Sequence, residues 1–141
     1  MSQSGIERLL EDPASAAKIA SVHADVVKIA LKKTYSMAGR DFSGMDYHGL
    51  VVRVRTEDGV EGVGEVFVTA GWYGPDTPGS HLYLIEQVFG PAIIGESAFD
   101  TAKLLQKMDQ LWMHNLWTKA ALEQALFDAA AKTINRPLVD L

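Results

Sequence analysis

The stretch from residue 50 to residue 68 reads LVVRVRTEDGVEGVGEVFV. From Leu50 to Thr56 the side chains alternate between two faces, and Leu50, Val52 and Val54 lie on the same one, which is typical of a half-buried strand. Asp58 and Gly59 both tolerate a positive φ and predict a tight turn. Residues Glu61 to Val68 then return as a second strand. The stretch therefore predicts an antiparallel hairpin.

The segment before this hairpin predicts a third strand. Residues Ile19 to Leu31 are rich in β-branched side chains, but the alternation breaks near Val26 and Val27, which predicts a register slip there. With the hairpin, this strand completes a three-stranded antiparallel β-meander. Residues 1–18 form a leader in which a short helix and a disordered tail are both compatible with the pattern, so we expect the domain to cover residues 19–141.

The segment after the hairpin has helical periodicity. Ser80 is expected to cap a short helix that ends at Gly90-Pro91, and Ser97 opens a second helix. The predicted buried side of the second helix is Leu104, Leu105, Met108, Leu111 and Trp112. A last helix is predicted from about Thr118 to Ile134, with a buried stripe and a left-handed cap. The stripe is Leu122, Ala125, Leu126 and Ala129, and the cap is Asn135. Strands followed by a helical bundle indicate an α+β fold.

Three segments resemble one known family. These are EGVGE at 61–65 after the Asp-Gly turn, GPAIIG at 90–95, and KAALEQALFD at 119–128 followed by a lysine and a Pro-Leu pair. In this order they are similar to the N-terminal domain of the mandelate racemase/muconate lactonizing enzyme family in the enolase superfamily. Phe127 stands where that family commonly has Trp, and Ala131 where it commonly has Gly.

The resemblance implies a two-domain, Mg²⁺-dependent enzyme in which this domain caps a catalytic β/α barrel. The barrel of such a racemase, epimerase, cycloisomerase or dehydratase binds the metal and abstracts a proton α to a carboxylate. A β/α barrel alone needs roughly 200 residues or more, so we expect the catalytic barrel to be absent from this chain of 141 residues. The chain is then expected to hold no catalytic residue, cofactor site or metal site, and to be inactive alone.

The resemblance also implies that two loops cover the substrate, one at about 32–49 and one at about 69–80. Aromatic side chains in mobile loops can exclude water and shape a pocket. The alternative is that these rings pack on the sheet edge or on the helices. The candidate substrate-capping residues are Tyr35, Phe42, Tyr47, Trp72 and Tyr73.

Several other residues receive structural interpretations. Gly62 and Gly64 are expected to allow close packing against another segment. Glu65 is expected to accept hydrogen bonds rather than to act in catalysis. Asp128 and Lys132 are one helical turn apart, and this spacing predicts a surface ion pair.

Composition excludes several classes of function. A net charge of −5 gives no electrostatic reason for binding nucleic acid or an anionic membrane. The chain has no cysteine, which excludes disulfides and thiolate chemistry and is compatible with the cytoplasmic location that we expect. The four histidines lack metal-ligand spacing on a helix.

Two kinds of partner follow from these expectations. The chain would pack on its own missing barrel domain, and a parent enzyme would act on a small carboxylate. Alternatively, the chain is a stand-alone α+β binding or scaffold module. In that case a barrel-facing apolar surface would be exposed, and we expect a homo-oligomer formed with a second copy.

Overall fold

The computed structural model describes residues 7, 10–12, 15–33, 36–37, 39–41, 46–68 and 76–141. The strands are β1 (Ile19–Ala30), β2 (Ser36–Met37), β3 (Arg40–Asp41), β4 (Asp46–Thr56) and β5 (Glu61–Val68). The α-helices are α1 (Pro78–Tyr83), α2 (Gly90–Ile93), α3 (Thr101–Leu111) and α4 (Leu116–Thr133). A π-helical turn (Leu84–Phe89) joins α1 to α2, and 3₁₀ turns lie at Ala98–Asp100 and Leu138–Asp140.

The main sheet has the order β1-β4-β5 with both pairings antiparallel, so the predicted meander is confirmed. The predicted register slip at Val26 and Val27 is wrong. Both residues pair without interruption, and the irregularity lies between Ile19 and Ser21. The alternation breaks because β1 is an edge strand. Val26 belongs to the helix-facing side, yet 49% of it is exposed, so apolar character does not mark one face there.

The first predicted loop is shorter than expected. Strand β4 begins at Asp46 rather than Leu50, because the end of β1 supplies backbone partners: Ile29 pairs with Tyr47, and Lys28 with His48. Within the remaining loop, β2 and β3 form a small two-stranded hairpin. Tyr47 is therefore a strand residue.

The first helical segment also differs from prediction. Thr77, not Ser80, is the N-cap, and the two residues form a reciprocal capping box. The helix does not end at Gly90-Pro91. The π-helical turn lets the amide of Gly90 donate to the carbonyl of Ile85, and Pro91, which has no N–H, occupies the first turn of α2.

The last two helices largely follow the pattern. In α3, Leu104 and Met108 are buried as predicted, but Leu111 and Trp112 are not, because the helix ends at Leu111 and the chain leaves in an extended conformation. Helix α4 ends before Asn135, which has the predicted left-handed φ of 54°.

The helices cover one face of the sheet, and the α+β architecture is confirmed. The core lies between this face and α4, and it also includes Ala16 and Ala17. The hydroxyl of Ser97 binds this N-terminal segment by donating a 2.6 Å hydrogen bond to the carbonyl of Ala16. The part of the chain that the structure describes contains no β/α barrel. The largest fully buried side chains are Phe89, Ile19, Leu50, Ile85, Ile93, Leu104, Met108, Leu122 and Leu126.

Candidate functional site

Four of the five candidate substrate-capping residues lie outside the described residues. These are Tyr35, Phe42, Trp72 and Tyr73. The fifth, Tyr47, is in β4 on the sheet face opposite the helices. The structure therefore gives the geometry of one predicted site residue and of the elements from which both loops start and end.

Tyr47 forms an aromatic pair on this outer face. Its ring stacks on Phe67 of β5, with centroids 4.5 Å apart and planes inclined by 21°. Its phenol donates a 2.5 Å hydrogen bond to the carboxylate of Glu65. Burial, together with the hydrogen bond and charge of Glu65, raises the pKa of Tyr47 to about 12. The phenol is therefore a hydrogen-bond donor at neutral pH and is not suited to act as a base.

Strand β5 and helix α4 are in backbone contact. A Cβ atom at Gly64 would overlap the carbonyl oxygen of Ala121, and one at Gly62 would overlap that of Ala125. Only glycine, which has no Cβ, permits this approach. The prediction that these glycines serve close packing is confirmed.

Side chains of α4 also bind the free edge of β5. Asp128 accepts a 2.8 Å hydrogen bond from the amide of Val63, and Gln124 accepts a 3.2 Å hydrogen bond from the amide of Glu65. Lys132 donates to the carbonyl of Glu61 at 2.9 Å. Four residues of helix rise about 6.0 Å and two residues of strand about 6.6 Å, so helical i, i+4, i+8 positions match alternate strand residues.

These contacts sharpen the predictions for the acidic residues. Asp128 and Lys132 form the expected ion pair at 2.7 Å, but both also bind the strand, so the interpretation as a surface pair was incomplete. Glu65 accepts from Tyr47 through its side chain and donates to Gln124 through its amide, as expected of a structural residue.

A second contact region joins α1 to the first turn of α4. Asp76 accepts a 2.7 Å hydrogen bond from the amide group of Asn115. Nδ1 of His81 lies 2.6 Å from the hydroxyl of Thr118, and the tautomer of the ring sets the direction of this hydrogen bond. His81 is 0% exposed, and its Nε2 is buried without a hydrogen-bond partner among the described residues. Burial lowers the pKa of His81, and the charge of Asp76 offsets part of this effect.

Sequence reasoning did not find this role of His81. The histidine was considered only for metal spacing, which it lacks. A polar residue directly before Leu82 gives no signal of its own, because its burial depends on where α4 lies.

Lys119 is a second buried polar residue near the contact between α1 and α4. It is 4% exposed, and its ammonium group donates to the carboxylate of Asp109 and to the carbonyl of Trp112, both at 2.6 Å. The same group lies 5.8 Å from the ring centroid of Phe89. These partners satisfy the charge and tie the start of α4 to α3.

The described residues contain no group of three or more His, Asp or Glu side chains that could hold a metal ion. Nδ1 of His23, for example, lies 3.2 Å from a carboxylate oxygen of Glu86. Within the same residues, no helix is long and apolar enough to cross a membrane.

Comparison with known proteins now identifies the domain. Residues 46–141 match the family model described as mandelate racemase / muconate lactonizing enzyme, N-terminal domain. The chain belongs to this family. The resemblance seen in the sequence is therefore confirmed, together with the enolase-superfamily N-terminal fold.

Curated members of the mandelate racemase / muconate lactonizing enzyme family include two similar proteins. Muconate cycloisomerase 1 of Pseudomonas putida is 34% identical over 93 residues, which are 65% of this chain and 25% of that protein. The hydrophobic dipeptide epimerase of Enterococcus faecalis is 33% identical over 128 residues, which are 88% of this chain and 34% of that protein. The chain thus spans about a quarter to a third of the length of these relatives.

Solved structures of the same family have the same fold. The dipeptide epimerase of Enterococcus faecalis V583, in complex with Mg and the dipeptide L-Leu-L-Tyr, superposes with a TM-score of 0.80 at 31% identity. That match covers 87% of this chain and 34% of the epimerase. The muconate lactonizing enzyme of Pseudomonas fluorescens, in complex with muconolactone, gives a TM-score of 0.75 at 27% identity. It covers 83% of this chain and 31% of that enzyme. The chain has the fold of the domain that it matches in these enzymes.

Proposed function

We propose that this domain caps the substrate of a Mg²⁺-dependent enzyme of the enolase superfamily and has no catalytic activity alone. The observation that carries the proposal is the match of this chain to an N-terminal domain model and to about a third of a dipeptide epimerase and of a muconate lactonizing enzyme. We expect the parent enzyme to be a racemase, epimerase, cycloisomerase or dehydratase that acts on a small carboxylate.

Within this proposal, the two loops that leave the sheet next to Tyr47 and Val68 cover the substrate. The Tyr47–Phe67 pair supports the role, because it forms a rigid apolar base where both loops meet β4 and β5. The residues expected to reach the substrate are still the aromatic candidates Tyr35, Phe42, Trp72 and Tyr73. Mg²⁺ would be held by the catalytic domain.

An exposed apolar corner supports a packing partner for this domain. The corner connects α3 to α4, and its side chains are between 43% and 75% exposed. Exposed apolar residues that are grouped in one connection are typical of an interaction surface. We propose that the corner meets the catalytic domain and that, uncovered, it pairs with a second copy. The corner consists of Leu111, Trp112, Met113, Leu116 and Trp117.

The first test is an assay for proton abstraction. The purified chain is incubated in deuterium oxide with Mg²⁺ and L-Leu-L-Tyr, and exchange at the α-carbons is followed by NMR. We expect no exchange above that in buffer, because a positioned base and a metal are both required. Mg²⁺-dependent exchange by the chain would overturn the proposed inactivity.

The second test addresses the apolar corner. Sedimentation velocity at tens of micromolar should show a self-associated species, and a Met113→Lys, Leu116→Lys variant should sediment as a monomer. The matched control is Val139→Lys, which changes a residue that is 90% exposed outside the corner. A monomeric parent chain, or equal association by both variants, would contradict the proposed surface.

A further inference from the structure

The buried imidazole of His81 is an ionisable group for which the proposed capping role has no use. A neutral imidazole has one donor and one acceptor nitrogen, whereas the protonated ring has two donors. Thr118 can bond Nδ1 in either form because its hydroxyl rotates. Nε2 has no acceptor within reach among the described residues. A proton on both nitrogens would therefore leave a buried charge with an unsatisfied donor, which is costly.

Among the described residues, Asp76 supplies the charge that favours protonation of His81. Its carboxylate is already bonded to Asn115. On α4, the ammonium group of Lys119 is bonded to Asp109. The elements that contact α1 are β1, β4, the π-helical turn and α4. Their other charged or titratable residues are His23, Asp25 and Lys28 of β1, Asp46, Tyr47, His48, Arg53 and Arg55 of β4, Glu86 of the π-helical turn, and Glu123, Asp128 and Lys132 of α4.

The connection into α4 is also strained. His114 and Asn115 have φ values of 68° and 51°, which place two consecutive non-glycine residues in the left-handed region. Such conformations persist where surrounding contacts hold them. The contacts here are the Asp76–Asn115 and His81–Thr118 hydrogen bonds and the Lys119 hydrogen bond to Trp112.

We propose that the junction of α1 with the first turn of α4 is an acid-sensitive contact, closed while His81 is neutral and opened when His81 gains a proton. The opening separates α1 from Asn115 and Thr118. The β5–α4 contact remains closed, because it depends on glycine packing and on backbone hydrogen bonds. This property is independent of the proposed capping function.

The direction of the pH dependence follows from linkage. Burial lowers the pKa of His81 below its ordinary value of 6.5 in the closed state, and opening restores that value. The closed junction is therefore fully stable above pH 6.5 and weakens as the pH falls toward the lower, closed-state pKa. Within this window the opening equilibrium rises by up to about tenfold per pH unit.

The test is hydrogen exchange of the 141-residue chain, expressed as protection factors at pH about 7.5 and about 5.5. We expect protection of residues 78–83 and 115–119 to fall by up to about tenfold between these conditions, relative to residues 121–131. His81→Leu should abolish this relative change, whereas the matched control His48→Gln, at an exposed histidine of β4, should retain it.

A second measurement keeps the proposal testable if His81→Leu does not fold. NMR titration of the His81 ring in the parent chain reports its protonation directly, together with the amide shifts of Asn115 and Thr118. Equal relative protection at the two pH values would overturn the proposal. So would a ring that titrates at or above pH 6.5 while the junction amides stay unchanged.

Discussion

Helix α4 contacts the rest of the molecule in two different ways along its length. From Ala121 onward its backbone lies against β5, at two glycines where a Cβ would collide with main-chain atoms. Its first turn instead meets α1 through side chains, chiefly the His81–Thr118 hydrogen bond. The first contact depends on shape and on strand-edge hydrogen bonds. The second depends on the protonation state of one imidazole, so one helix combines a rigid contact with a chemically sensitive one.

The largest effect should come from adding a methyl group in the rigid contact. Gly64→Ala places a Cβ on the carbonyl oxygen of Ala121, and main-chain atoms cannot move aside cheaply. We expect a loss of at least about 3 kcal/mol in the free energy of unfolding, or failure to fold. Urea denaturation followed by circular dichroism measures this change.

The matched control for this variant is Gly79→Ala in α1. The nearest atom to a Cβ at Gly79 is 3.8 Å away, and the residue has no positive φ. The control should be neutral or stabilising by up to about 1 kcal/mol. If Gly64→Ala unfolded at the same urea concentration as the parent chain, close contact between β5 and α4 would be refuted.

A smaller loss is expected where α4 binds the strand edge. Asp128→Ala leaves the amide of Val63 without its acceptor and Lys132 without its ion-pair partner. Because the Asp128 side chain is about three-quarters buried, we expect a loss of about 1–3 kcal/mol in urea denaturation. Gln106→Ala, at an exposed position of α3, should stay within about 0.5 kcal/mol of the parent. Equal stability of the two variants would indicate that the edge contact contributes little.

In the sensitive contact the effect should depend on pH. Because the folded-state pKa of His81 is below 6.5, the parent chain should lose up to about 1.4 kcal/mol of stability per pH unit as the pH falls below 6.5. This contribution to the slope should disappear in His81→Leu. The prediction is tested by measuring the urea midpoints of the parent chain and of His81→Leu across this pH range. If the variant kept the pH dependence of the parent chain, the acid sensitivity would belong to another group.

The smallest effect is expected on the outer face of the sheet. Tyr47→Phe keeps the ring stack on Phe67 and removes the hydrogen bond to Glu65, so the loss should be below about 1 kcal/mol. In the folded chain the pKa of Tyr47 is raised to about 12, above its ordinary value of 10.0. Its contribution is therefore complete below pH 10 and is lost as the pH rises toward 12.

An ultraviolet titration of the tyrosines checks this prediction. One phenol of the parent chain should ionise near pH 12, and that step should be missing in Tyr47→Phe. The control is Tyr83→Phe, at an exposed residue of α1, which should keep the step. A parent chain without the step would contradict the Tyr47–Glu65 hydrogen bond.

Local patterns predicted the parts of the fold that depend on neighbours in sequence. Alternation from Leu50 to Thr56, the Asp58-Gly59 turn and the apolar stripe of α4 each follow from backbone geometry over a few residues. The family resemblance was visible for the same reason, because its three segments are continuous in sequence. Four of the five aromatic candidates lie outside the described residues, so their capping role stays a prediction.

The features that sequence reasoning missed require two distant segments to meet. The start of β4 at Asp46 depends on backbone partners from β1. The helical segment continues through Gly90 because of a π-helical turn beside Val22. Leu111 and Trp112 were placed in the core because periodicity does not show where a helix ends against its neighbours.

The strand order, the helix stripe and the family could be inferred from the amino-acid sequence, because periodicity and turn chemistry are local properties of the chain. The binding of a strand edge by Asp128 and Lys132 and the burial of His81 beside Thr118 became apparent from the packing of distant segments. Burial and hydrogen-bond partners depend on which surfaces come together, and the same residue types in another packing would be solvated. The acid-sensitive junction thus arises from where α4 lies against α1.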